Sequence, residues 1–227
     1  MNTGKIIDQA RALARDFVER GHRRVRLPVF AYEDWCEIYR RPPGGESLHA
    51  FRTQQRRTWY LMRFLGDQGV EVEAVPVKAD ELLDWAEEEG HDLNDPHELA
   101  HAVGEYVNRP QARASACRHA ELPQGTAQAL GATLATLTVF GERPEEPEVM
   151  SIVLHRPDGA VLHSLEVLAC QHGPQEAWEQ VQAYLDRHRP ERVFHDRTVR
   201  RPEFCPDCNA LLVHVASPRE VEDARKA

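Results

Sequence analysis

No apolar run in this chain approaches the roughly 18 residues needed for a membrane-crossing helix. The first residues, Met1-Asn2-Thr3-Gly4-Lys5, lead into an amphipathic segment and not into the continuous apolar core of a signal peptide. Five cysteines in 227 residues are few and odd in number, which argues against a disulfide framework. These absences predict a soluble protein of a reducing cytoplasm with no membrane partner. A glycine-rich phosphate loop and a serine nucleophile elbow are also missing, so two common routes to nucleotide and acyl chemistry drop out. Internal repeats and low-complexity tracts are absent as well.

What is present suits a globular chain: 41% hydrophobic and 29% charged residues, enough for one large domain or two small ones. The net charge of −9 is unevenly laid down. Residues 1–66 carry 13 Lys and Arg against 7 Asp and Glu, whereas residues 67–110 carry 2 against 13. An acidic total argues against general coating of nucleic acid but leaves room for a local basic face.

The spacing predicts a helix through Ile6, Ile7, Ala10, Leu13, Ala14, Phe17 and Val18 that stops at Gly21. A strand over 25–30 and a short helix over 32–39 follow. Ser47 is the expected N-cap of a long helix carrying Phe51, Trp59, Met62 and Leu65. Strict alternation over 70–77 reads as a strand, and a helix from Asp80 should stop at Gly90. Beyond a linker at 111–130, strands are expected over 133–140, over 149–155 and 160–169 as a hairpin about Arg156-Pro157-Asp158-Gly159, and over 193–194 and 211–215. A helix begins at Pro174. The fold class is therefore α/β or α+β, with a helix-rich domain at 1–110 and a mixed sheet-and-helix domain at 131–227.

His97-Glu98-Leu99-Ala100-His101 resembles the H-E-x-x-H motif of zinc peptidases. In that motif two imidazoles one helical turn apart share a zinc ion, and the glutamate is general base to the metal-bound water. The resemblance implies His97 and His101 as ligands and Glu98 as base. Gly104 matches the metzincin extension, but that form puts its third histidine at the position of Val107. Glu121 is the available third ligand of a thermolysin-like arrangement. The same residues also open a helix without any chemistry. Asp95 as N-cap and Pro96 at the first turn start it, and Glu98 can reach back to the cap amide.

Phe204-Cys205-Pro206-Asp207-Cys208-Asn209 is the stronger metal signal. Two thiolates at this spacing bite one tetrahedral ion, proline stiffens the turn, and asparagine tolerates the left-handed conformation after it. The segment looks like half of a zinc ribbon. Its other half has no second C-x-x-C to draw on, but two Cys-x-His pairs exist, at Cys117/His119 and Cys170/His172. Cys170 and His172 are the expected completion, since they close a strand in the same half of the chain. Such a closed Cys3His site would be structural zinc.

Arg52, Arg56 and Arg57 share a predicted helix with Trp59 and Tyr60, a pattern that can hold a phosphate-bearing ligand or a nucleic-acid strand. The alternative is that these arginines pair with the acidic 67–110 segment. In the second half, the order strand, strand, strand, helix, strand resembles that of ribonuclease-H-like domains. Those nucleases need a carboxylate on the first strand, and 133–140 has none. The residues thus favour a non-enzymatic binding or accessory protein with structural zinc on Cys205 and Cys208, and a protein is the expected partner. A zinc-dependent hydrolase is the alternative, and a phosphate or nucleic-acid binder the third reading.

Overall fold

A computed structural model describes residues 3–117, 127–142 and 146–223. Helices and mixed sheets place the chain in the α/β to α+β class. The chain divides into two compact units: Met1–Cys117 with Phe204–Ala210, and Arg118–Glu203 with Leu211–Ala227. Among the described residues, no helix is long and apolar enough to cross a membrane.

The first unit opens with α1 (Thr3–Glu19), whose buried face is Ile6, Ile7, Ala10 and Ala14, while Leu13 lies outward. Strand β1 (Arg24–Val29) leads through α2 (Tyr32–Ile38) and α3 (Gly45–Asp67) to β2 (Glu71–Pro76). The two strands pair in parallel, Arg24 opposite Glu71 and Val29 opposite Pro76. A parallel pair requires such a helical crossover. Helix α3 starts two residues before Ser47, whose hydroxyl donates 2.7 Å to the Pro42 carbonyl and caps nothing. Helices α4 (Ala79–Glu89) and α5 (Pro96–Asn108) follow. Phe30, Trp35, Ile38, Phe51, Val75, Leu82, Val103 and Val107 form one apolar cluster, and each large side chain buried there contributes about 1.5–3 kcal/mol.

The charge asymmetry is used in part within this unit. Arg24 pairs with Glu73, and the Arg26 Nε lies 3.1 Å from the same carboxylate. The guanidinium of Arg24 holds the Glu73 carboxyl below its usual value. The cations in these pairs sit on β1, not on the arginine-bearing helix singled out by sequence.

The second unit is a four-stranded sheet in the order β5-β4-β3-β6. Strands β3 (Leu134–Phe140), β4 (Val149–His155) and β5 (Val161–Val167) are antiparallel, and β6 (Arg192–His195) returns parallel to β3 through α6 (Ala169–His172) and α7 (Pro174–His188). The order strand, strand, strand, helix, strand is present, and β3 carries no carboxylate. Residues 211–215, expected as a strand, form no named one: Leu212 donates to the Glu203 carbonyl, and the segment runs on to α8 (Pro218–Asp223).

Buried polar side chains concentrate in this unit. The His155 ring is fully buried, with Nδ1 3.0 Å from the Arg156 carbonyl. Nδ1 therefore carries the proton, and Nε2 accepts from the Thr136 hydroxyl at 2.8 Å. That hydroxyl in turn accepts the Ala216 N–H at 2.9 Å. Nearby in sequence, His163 Nδ1 shares a hydrogen bond with the Tyr184 hydroxyl, and the His188 ring lies 5.1 Å from that of His163. Burial lowers the affinity of all three imidazoles for a proton, and for His188 the neighbouring His163 adds to it. Burial also pushes the Tyr184 hydroxyl well above its ordinary value.

Candidate metal centre

All five cysteines are free thiols, and three of them converge. The sulfurs of Cys117, Cys205 and Cys208 lie within 4.8 Å of one another, with 4.0 Å between Cys117 and Cys205. Three vertices of a zinc–thiolate tetrahedron with bonds of about 2.3 Å stand roughly 3.8 Å apart, so the spacing already approaches that of a loaded site. This group can hold a metal ion.

Each sulfur is positioned by local backbone chemistry. Cys117 follows Ser115, which donates its N–H to the Ala74 carbonyl of β2 at 2.7 Å. The Cys117 N–H then donates to the Ser115 hydroxyl oxygen at 3.2 Å. Around the C-x-x-C turn, Cys205 donates to the Ala210 carbonyl at 2.9 Å and Asn209 to the Cys205 carbonyl at 2.8 Å. Asn209 takes the left-handed conformation, φ 55°, as the knuckle requires. Its side-chain amide donates to the Gln55 carbonyl at 2.9 Å, and the Phe204 ring meets Trp59 at 6.0 Å. These anchors explain why the knuckle belongs to the first unit, whereas the sequence placed it in the second domain.

Burial, followed by the neighbouring sulfurs of Cys205 and Cys117, pushes the Cys208 thiol up to about 12. A bound divalent ion would offset that cost by deprotonating its ligand outright. Cys117 also lines a cleft of about 780 Å³ together with Val75, Lys78, Tyr106, Arg109 and Asp207.

The expected completion by Cys170 and His172 is not what converges on the pair. Both lie on α6 in the second unit, Cys170 exposed and the His172 Nδ1 3.1 Å from Glu176. The sulfur that joins the pair is Cys117, from the other Cys-x-His spacing in the sequence, set behind Cys170/His172 because it lies outside the C-terminal half of the chain. Cys36 is buried in the apolar cluster.

The H-E-x-x-H segment is placed on α5 as expected, yet its residues combine differently. His97 is exposed, and its backbone N–H donates to the Asp95 carboxylate at 2.8 Å. Glu98 does not reach the cap amide, since Asp95 donates to the Asp92 carbonyl. Instead His91, Glu98 and His101 bring one ligand atom each within 4.8 Å, a second group that can hold a metal. Sequence reasoning missed His91 because its approach depends on how α4 and α5 pack. Glu121, the candidate third ligand, lies outside the described residues.

On α3, Arg52 and Arg57 are exposed, but Arg56 is buried and donates through Nη2 to the Thr3 hydroxyl at 2.8 Å. The three do not form one accessible cationic face. Compared with family models, with curated proteins and with solved structures, this chain matches none.

Proposed function

We propose that this is a non-enzymatic binding or accessory protein in which Cys117, Cys205 and Cys208 hold a structural zinc ion. The carrying observation is the convergence of three sulfurs from segments 88 positions apart. An ion on them ties the returning knuckle to α3 and to the Cys117 segment, closing a long loop where the gain from a clip is largest. Cys205 is 7% exposed, which suits a closed structural centre better than one that must admit substrate. The cleft beside Cys117, lined by Lys78, Arg109 and Asp207 together with Val75 and Tyr106, is the place for a bound ligand or peptide in this reading.

Zinc per chain, measured by elemental analysis on wild type, Cys205→Ser and His101→Ala, tests this reading. One zinc lost with Cys205 and kept with His101 supports it. A single zinc that leaves with His101 instead overturns it, and loss with His97→Ala as well marks the hydrolase reading, with His97 and His101 as ligands and Glu98 as base. No zinc in any form defeats both.

A further inference from the structure

The residues that spell H-E-x-x-H take part in a different constellation. Helix α4 ends at Gly90 in the left-handed conformation, φ 78°, and His91 donates its N–H to the Ala86 carbonyl at 2.9 Å. That C-terminal motif fixes where the His91 backbone points. The imidazole lies against the Trp85 ring, 5.3 Å between centroids, and its side chain is only 13% exposed. Facing it is one stripe of α5, Glu98, His101 and Glu105, at the three-then-four spacing that aligns side chains on a helix. The His91 Nδ1 is 3.8 Å from a Glu98 carboxylate oxygen. Glu105 sits 3.2 Å from His91 Nε2 and 3.6 Å from His101 Nδ1.

We propose that His91, Glu98 and His101 form a second metal site, separate from the thiol cluster and specific for a divalent transition metal. Two imidazoles and one carboxylate suit zinc, cobalt, nickel or copper, whereas magnesium and calcium want oxygen alone. Glu105 is the outer carboxylate: it accepts from an imidazole N–H turned away from the ion and so orients the ring and raises its basicity. In this arrangement Glu98 is a ligand and not a general base, and His97 has no part. Glu98, His101 and Glu105 are about half exposed or more, so coordination positions remain open to water or to a donor from a partner. His91 is the pre-organised member, since its ring is already packed.

The test is titration of the reduced, tag-free full chain with cobalt(II), followed by absorption. A thiolate-bound ion gives an intense near-ultraviolet charge-transfer band, whereas an imidazole–carboxylate site gives only weak visible bands, so the two equivalents are read separately. Wild type should bind the second equivalent by about 100 μM free metal. His91→Ala and His101→Ala should each lose it, His97→Ala should keep it, and Glu105→Gln should weaken it about tenfold or more. His101 is 63% exposed, so its variant decides the matter if His91→Ala fails to fold. The proposal is overturned if no second equivalent binds, if it is indifferent to His101, or if His97→Ala abolishes it. A missing charge-transfer band would defeat the thiolate reading alone.

Discussion

The two units of this chain solve the same problem with different materials. Of the ten buried polar or charged side chains among the described residues, Ser47, Arg56 and Asn209 belong to the first unit and the other seven to the second. The first unit has a two-stranded sheet among helices, which leaves little sheet to organise a core, and it gathers sulfur. The second has a four-stranded sheet and buries neutral imidazoles within hydrogen-bonded networks. The lesson is that each unit should fail under its own stress: metal withdrawal for the first, acid for the second.

The largest expected effect is on the thiol side. Cys205→Ser should lose the proposed zinc ion and destabilise the first unit by about 4 kcal/mol or more, read as faster hydrogen exchange in α3 with the second sheet unchanged. Equal loosening in both units would break the comparison. Acid should do the reverse. His155, His163 and His188 are held by burial below the ordinary imidazole value near 6.5. Their contribution is complete above that value. It drains as pH falls from there toward the lowered folded values, because the unfolded chain takes up protons first. Each imidazole that stays neutral costs about 1.4 kcal/mol per pH unit in that window. Exchange protection of β3 and β4 measured between pH 7 and 5 would show it, and a flat profile would contradict it.

Smaller changes sharpen the contrast. Thr136→Val removes the hydroxyl between His155 and the Ala216 N–H and leaves both buried groups short of a partner, at about 2 kcal/mol by denaturant unfolding. Asn209→Ala forces alanine into a left-handed turn and deletes the bond to Gln55, for about 1–2 kcal/mol, and it should also weaken zinc retention. His101→Ala, by contrast, should move stability by no more than about 0.5 kcal/mol while removing the second metal equivalent.

Much of the architecture was legible because local chemistry decides it. Asp95 and Pro96 start α5, Gly90 stops α4, and Pro157-Asp158-Gly159 turns the hairpin where the spacing placed it. The failures share another cause. Ser47 is a good cap in isolation, but the Pro42 carbonyl claims its hydroxyl. Residues 211–215 have the composition of a strand, yet beyond a single bridge at Leu211 no strand forms there. Of the candidate metal residues, Cys205 and Cys208 announce themselves by spacing, whereas Cys117 and His91 become visible only once distant segments are packed together. Arg56 looked cationic and free in sequence; packing buries it against Thr3.

The return of Phe204–Ala210 to the first unit also has a consequence in time. A ribosome adding 5–20 residues per second needs roughly 4–18 s to travel from Cys117 to Cys205. Throughout that interval the emerging first unit has its helices and strands but lacks its last seven residues, with Trp59 deprived of Phe204 and Cys117 of its sulfur neighbours. The unit begun first is therefore completed only after 118–203 have been added, and the proposed ion could meet all three sulfurs only from that point on.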